Sequence, residues 1–149
     1  MDPMDTRDQT TKIEKRVVAR FENGDFPAIV SVYHFGSRAE GRAHRESDID
    51  IGLLMHREIL PTRKHRFEAS LRIGAELAAL FSDDRVDLVV LNDAPPLLGR
   101  RIITEGRRLV CRDPEIDHAF VRDVQLRAAD ILPFLDRMRK LKLEALAPK

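Results

Sequence analysis

The segment that decides the fold is residues 35–52, which read FGSRAEGRAHRESDIDIG. An apolar run breaks at Gly36-Ser37, and ten residues later the chain continues as Asp-Ile-Asp-Ile. Glycine permits a tight turn in which backbone N–H groups approach an anion closely. Asp48 and Asp50 stand two positions apart, so on a strand both side chains point to the same face. The segment predicts a phosphate-binding turn followed by a metal-binding strand.

Hydrophobic periodicity and turn residues divide the remaining sequence into alternating helices and strands. Helices are predicted at residues 7–22, 62–81, 96–105 and 114–140, and strands at 28–35, 48–54, 85–91 and 108–111. A short helical turn at 38–42 and a polar loop at 43–47 should connect the first two strands. That connection is only about a dozen residues, the lower limit for a parallel crossover. We therefore predict an α/β (α+β) fold with a mixed central sheet of about four strands flanked by helices.

Two long helices carry apolar stripes that should pack on the sheet. The predicted core face of the helix at 62–81 consists of Phe67, Leu71, Gly74, Ala78 and Phe81. The predicted core face of the last helix consists of Phe120, Val124, Ala128, Ile131, Leu135 and Met138. Pro133 should kink that helix, and residues 141–149 should fray. Three apolar residues off this stripe are candidates for contact with a partner helix, namely Val121, Leu126 and Leu132.

Composition and charge narrow the class of protein. The 149 residues are 43% hydrophobic, which suits one domain at 1–149 with a core at about 7–112 and a C-terminal helix at about 114–140. The formal net charge is +1, so no overall field attracts nucleic acid, and no direct nucleic-acid partner is expected. No apolar run approaches the roughly 20 residues of a membrane span. A single cysteine, Cys111, excludes an intrachain disulfide, and we expect a cytoplasmic protein without membrane contact.

Asp87 is a third candidate carboxylate, because residues 86–91 of the strand predicted around it are otherwise apolar. If this strand pairs with residues 48–54, Asp87 can share the face of Asp48 and Asp50. Three such carboxylates can hold two divalent ions, and carboxylate oxygens suit Mg²⁺ or Mn²⁺. Asp87 also lies where a general base could take a proton from an attacking hydroxyl.

Gly36 and Ser37 supply the other half of the predicted site. Backbone N–H groups at the start of a helical turn bind phosphate oxygens, and a serine hydroxyl adds a donor. Arg38 and Arg42 could reach the same triphosphate. The combination predicts a nucleoside triphosphate bound with Mg²⁺ and activated at its α-phosphate. The sequence contains neither the Walker Gly-Lys-Ser/Thr nor Gly-x-Gly-x-x-Gly, so P-loop and Rossmann assignments have no support.

Residues 36–50, with Gly-Ser followed ten residues later by Asp-Ile-Asp, resemble the nucleotidyltransferase superfamily signature hG[GS]…Dh[DE]h with a later h[DE]h. This form closely resembles the minimal nucleotidyltransferase (MNT) proteins, the MntA-like antitoxins of MNT/HEPN toxin–antitoxin pairs. Residues 85–98 resemble the family's third-carboxylate strand and Ala-Pro-Pro turn, and residues 106–113 its next strand and helix entry. The similarity covers most of residues 28–140. Glu40 departs from the pattern, because many relatives carry a basic residue there, and we assign it no phosphate role.

The resemblance implies the nucleotidyltransferase fold and a Mg²⁺-dependent transfer of AMP from ATP to a protein. The acceptor would be a tyrosine of a cognate all-helical HEPN-domain RNase toxin, which is thereby inactivated. The residues and the resemblance together assign catalysis and metal binding to Asp48, Asp50 and Asp87, and nucleotide binding to Gly36, Ser37 and Arg38. The chain has no evident second domain to hold a small acceptor, which fits a partner protein that brings its own hydroxyl.

Two alternatives remain open from the sequence. One is a nucleotidyltransferase that modifies a small molecule, such as an aminoglycoside, or an RNA end, although the near-neutral charge argues against RNA. The other is a non-catalytic antitoxin that neutralises its partner by binding alone. An acceptor-sized pocket would favour the first, and full protection by an Asp48→Asn variant would favour the second.

Overall fold

The computed structural model describes residues 3–41, 48–82 and 84–147, with the side chains of residues 3–6 left out. The predicted polar loop at 43–47, and Arg42 beside it, lie outside these residues. The helices are α1 (Pro3–Glu22), α2 (Gly36–Ala39), α3 (Arg63–Leu80), α4 (Pro96–Glu105) and α5 (Pro114–Leu146), and the strands are β1 (Ile29–Phe35), β2 (Ile49–Met55), β3 (Val86–Val90) and β4 (Arg107–Cys111). A 3₁₀ turn, Leu91–Asp93, follows β3. Among the described helices, none combines the length and the apolar character that crossing a membrane requires.

The four strands form one mixed sheet in the order β3-β2-β1-β4. β1 is antiparallel to both β2 and β4, whereas β2 and β3 are parallel. The short connection between β1 and β2 is therefore an antiparallel link, and the 18-residue helix α3 makes the parallel crossover from β2 to β3. The prediction of a mixed four-stranded sheet is confirmed, and β1 is a central, buried strand as expected.

Apolar side chains cover both faces of the sheet. One cluster packs α1 and α3 onto the sheet, with fully buried residues such as Val17, Phe21 and Leu77. The other lies between the sheet and α4 and α5, around Leu54 and Ile102. Helices on both faces explain why β1 and β2 are apolar along nearly their whole length.

The predicted core face of α3 is wrong by one helical position. Phe67 and Leu71 are each 58% exposed, and Ala78 is exposed, although Phe81 is buried as predicted. The face that packs on the sheet instead carries Arg66, Ala69, Ile73 and Leu77. A small alanine and an arginine on this face kept the hydrophobic periodicity from revealing it. Arg66 tolerates burial because its guanidinium bonds Asp93 twice, at 2.9 and 2.8 Å, and the Leu60 carbonyl at 2.9 Å.

The last helix begins where predicted but extends further. The Asp113 side chain accepts a hydrogen bond from the Ile116 N–H at 3.2 Å, which caps the start of the helix. The helix continues through Pro133 to Leu146, so the expectation that it ends near residue 140 and frays is wrong. Within the predicted stripe Val124 and Ala128 are buried, and Phe120 and Ile131 are partly buried. The other two predicted core residues are exposed, Leu135 to 41% and Met138 to 50%, because the helix has passed the edge of the sheet layers.

Candidate functional site

The candidate site lies where three strand ends meet. Antiparallel pairing places the end of β1 beside the start of β2, so Phe35 is the register partner of Asp50. Parallel pairing places the start of β3 on the other side, so Asp50 is also the register partner of Asp87. Paired strands are about 4.8 Å apart. The topology therefore brings the Gly-Ser turn, Asp50 and Asp87 to one edge of the sheet, as the sequence predicted.

Gly36 lies against the Asp50 carboxylate. Its φ of +84° is a left-handed conformation that residues with a Cβ rarely adopt. A Cβ built on Gly36 would lie 2.1 Å from Asp50 Oδ2, far inside van der Waals contact. Both constraints require glycine at the first residue of α2, and they place the backbone of this turn directly beside a carboxylate.

The charges of the two other carboxylates act on Asp50. Burial raises the pKa of Asp50, and the negative charges of Asp87 and Asp48 raise it further, while the Arg101 charge offsets part of this shift. Two neighbouring carboxylates that destabilise a third are a typical donor set for a divalent cation, because the ion removes the repulsion. The chemistry of the donor set, three side chains with anionic oxygen ligands, suits a divalent cation.

Asp87 is more exposed than the sequence suggested. β3 lies at an edge of the sheet, and each of its five residues is only partly buried. The Asp87 side chain is 42% exposed, and its Oδ1 lies 3.3 Å from Arg85 Nε. Among the described residues, no three His, Cys, Asp or Glu side chains lie close enough together to hold a metal ion. Metal binding by Asp48, Asp50 and Asp87 thus stays a prediction.

The two other predicted nucleotide ligands follow Gly36 in α2. Ser37 is partly exposed. Arg38 is buried, and one of its guanidinium nitrogens lies 3.5 Å from Asp84 Oδ1, just before β3. This contact ties α2 to the start of β3, so Arg38 holds the turn in place. Its role as a nucleotide ligand stays a prediction, as does that of Ser37.

A polar cluster, which we call the α2 clamp, fixes the other side of the turn. Arg107 on β4 donates to Glu14 Oε1 of α1 at 2.8 Å and to the Ala39 carbonyl of α2 at 2.9 Å. His34 Nδ1 lies 2.8 Å from the same Glu14 oxygen. Burial would raise the pKa of Glu14, but hydrogen bonds from Arg107 and His34 outweigh it and lower the pKa. The α2 clamp therefore joins α1, β1 and β4 to the last residue of α2.

Sequence reasoning missed the α2 clamp. Glu14 and Arg107 are 93 positions apart, and an exposed face of a helix is an ordinary place for a glutamate. The signal available was His34, a polar residue inside an apolar strand. It is fully buried, and burial lowers its pKa although the Glu14 carboxylate acts in the opposite direction.

A second missed network anchors α5 to the sheet. The buried carboxylate of Asp117 accepts hydrogen bonds from Ser31 Oγ at 2.6 Å, Tyr33 Oη at 2.8 Å and Arg108 at 2.8 Å. Burial would raise the pKa of Asp117, but these three donors hold it below its ordinary value. Burial and the Asp117 charge raise the pKa of Tyr33, so the phenol stays protonated and donates.

With this geometry, comparison with known proteins identifies the family. Residues 16–115 match the sequence model of the polymerase beta nucleotidyltransferase family, and the chain belongs to that family. The matched segment contains Gly36, Ser37, Asp48, Asp50 and Asp87. The expected family and the nucleotidyltransferase fold are both confirmed.

Within the family, the chain is similar to proteins of one kind of toxin–antitoxin pair. It is 29% identical over 98 residues to the protein adenylyltransferase MntA of Shewanella oneidensis, a match that spans 66% of each chain. A toxin–antitoxin crystal structure with AMP-PNP is 26% identical, with a TM-score of 0.62 over 89% of this chain and 97% of that one. An MNT antitoxin in complex with a tri-AMPylated Shewanella oneidensis HEPN toxin shares the fold, at 22% identity and a TM-score of 0.58 over 92% of this chain and 98% of that one.

Proposed function

We propose that this protein is a cytoplasmic antitoxin that transfers AMP from ATP, with Mg²⁺, to a tyrosine of a cognate HEPN-domain toxin and so inactivates it. The observation that carries the proposal is the contact between Gly36 and Asp50, which joins a phosphate-binding turn to a carboxylate. Register pairing of Asp50 with Asp87 adds the third carboxylate of the family. Similarity to an adenylyltransferase and to toxin–antitoxin complexes supports the protein acceptor.

Asp48, Asp50 and Asp87 would hold the metal, which neutralises charge on the phosphates and polarises the α-phosphorus. The backbone N–H groups and hydroxyl of Gly36-Ser37 orient the triphosphate beside these carboxylates. The tyrosine oxygen attacks the α-phosphorus, the bond to the β-phosphate oxygen breaks, and pyrophosphate leaves. Asp87 accepts the phenolic proton, a role that its 42% exposure allows because the acceptor arrives on another molecule.

The proposal is tested by mass spectrometry of the cognate HEPN toxin after incubation with this protein, ATP and Mg²⁺. We expect one or more AMP units on a toxin tyrosine. Asp50→Asn should abolish transfer, since one metal ligand and its charge are lost. Asp8→Asn is the matched control, because this carboxylate is on the surface of α1 and exposed to 67%. An unmodified toxin after incubation with the wild-type protein would refute the catalytic proposal.

The Asp50→Asn variant also distinguishes inactivation of the toxin by AMP transfer from inactivation by binding alone. If AMP transfer is what silences the toxin, cells that carry the toxin and Asp50→Asn should stop growing, although the two proteins still bind. Full protection by Asp50→Asn would instead identify an antitoxin that acts by binding alone. AMP on an aminoglycoside or an RNA end, with none on the toxin, would identify the other alternative acceptor class.

A further inference from the structure

The C-terminal part of α5 leaves the body of the domain. Each residue from 133 to 146, which we call the α5 extension, is exposed. At 1.5 Å per residue this segment projects by about 21 Å. Six large apolar side chains on it are exposed by 41–72%, namely Phe134, Leu135, Met138, Leu141, Leu143 and Leu146. A helical segment with this much exposed apolar surface gains stability when another surface covers it.

Three of these side chains continue a face that is already used for packing. At 3.6 residues per turn, Met138 lies in line with Phe120, Phe134 and Leu141 lie within about 60° of that line, and Val124 lies about 40° to its other side. Val124 packs against α4, where a Cβ on Gly99 would lie 3.4 Å from it. The α5 extension therefore presents the continuation of an intramolecular interface beyond the end of the domain. Spacings of three and four residues suit another helix.

Charge identifies the occupant of this face. Arg137 and Arg139 stand about 100° to either side of Met138, and Lys142 lies within the face. The acidic residues of the extension, Asp136 and Glu144, point away from it, at about 120° or more from Met138. A second copy packed antiparallel would bring the same cations together, which is unfavourable. A helix whose apolar stripe is edged by Asp and Glu is complementary.

We propose that the α5 extension is a docking surface for an acidic amphipathic helix of the toxin partner. The inference rests on the proposed function for the identity of that partner, and it adds where the partner binds. Apolar contacts along Phe134, Met138 and Leu141 supply the affinity, and the flanking cations select acidic residues.

The test is the affinity of the purified cognate HEPN toxin for variants of the α5 extension, measured by titration calorimetry. Met138→Asp combined with Leu141→Asp should raise Kd by about 100-fold, because two central contacts become charged. Leu143→Asp is the matched control: Leu143 is 62% exposed but lies about 140° from Met138. It should change Kd by less than about threefold. Because all three positions are exposed, each variant should keep the wild-type melting temperature.

The pair Arg137→Glu and Arg139→Glu tests the charge argument. It should weaken binding and reduce the dependence of Kd on salt concentration. A photo-crosslinking residue at position 138 should crosslink to a toxin helix that contains Asp or Glu. Crosslinking to a second copy of this chain would overturn the assignment.

Failure of the docking proposal can be told apart from failure of the proposed function. Wild-type affinity in the Met138/Leu141 variant would overturn the docking surface even if AMP reaches the toxin. If binding depends on Met138 and Leu141 but no AMP is transferred, the docking surface stands and the catalytic proposal is rejected. Absence of a complex between the wild-type protein and the toxin would overturn the docking surface directly.

Discussion

At Gly36, the positive φ and the nearby Asp50 side chain both require glycine. A control position that has only the positive φ separates these two effects. Gly36→Ala adds a strained φ and forces the new Cβ against Asp50, 2.1 Å from its Oδ2. We expect AMP transfer to fall by about 100-fold, because the carboxylate or the turn must move by about 1 Å. Gly24→Ala is the control, since Gly24 has a φ of +79° but, apart from its chain neighbours, no described residue comes within 4 Å of its Cβ position. It should lose stability, by about 1–3 kcal/mol, and keep activity. Equal loss of activity in both variants would contradict this account.

Asp50 also illustrates the conflict between function and stability at a single residue. Its pKa is raised in the folded protein by burial and by Asp87 and Asp48, so its ionised form destabilises the fold. Without a divalent ion, Asp50→Asn should therefore be more stable than the wild type at pH 7. This advantage should shrink as the pH falls through the raised folded pKa, and it should vanish only below the ordinary carboxyl pKa of about 3.9, where the carboxyl is protonated in both folded and unfolded chains. Thermal unfolding in EDTA across pH 4–7 measures it, and a less stable variant at pH 7 would contradict the repulsion argument.

At the scale of elements, the α2 clamp should control how well the phosphate turn is positioned. Arg107→Met removes the donors to Glu14 and to the Ala39 carbonyl and leaves the strand intact. We expect KM for ATP to rise about tenfold, because the end of α2 is no longer held to α1 and β4. Arg100→Met on the exposed side of α4 is the control and should leave KM unchanged. Steady-state kinetics with ATP as the varied substrate measure KM for the wild type and for both variants.

The attachment of α5 to the sheet should depend on pH through Asp117. Asp117→Ala leaves Ser31, Tyr33 and Arg108 without their shared acceptor and should lower the free energy of unfolding by about 3 kcal/mol. Because the folded pKa of Asp117 is lowered, its contribution is complete above the ordinary carboxyl pKa of about 3.9 and is lost as pH falls through the folded value. Denaturant unfolding of the wild type and the variant at pH 7 and pH 3 should show the difference closing in acid. Asp123→Ala, an exposed position on the same helix, should have little effect.

For the whole molecule, the sequence predicted features that are contained in one segment and missed contacts between residues far apart in the chain. Residues 35–52 contain the turn and two carboxylates, so the mixed sheet and the candidate site followed from one segment. The α2 clamp and the Asp117 network join residues dozens of positions apart, and a polar residue in an apolar strand, such as His34, marks one end of such a network without naming its partner. The face of α3 was misassigned because Arg66, paired with Asp93, occupies a buried position. The apolar stripe of α5 is continuous in sequence, so the point at which it leaves the core could not be located.

The edge position of β3 has a dynamic consequence for the site. The pairing of β1 with β2 is local in sequence and central in the sheet, whereas β3 closes across the whole of α3 and lies at an edge. Partly exposed edge strands open at lower free energy than buried central strands. We therefore expect amide hydrogens of β3 to exchange faster than those of β1. Opening of β3 would carry Asp87 away from Asp50 while β1 and β2 stay paired, so the proposed metal site would lose one carboxylate without unfolding of the strands on either side of the turn.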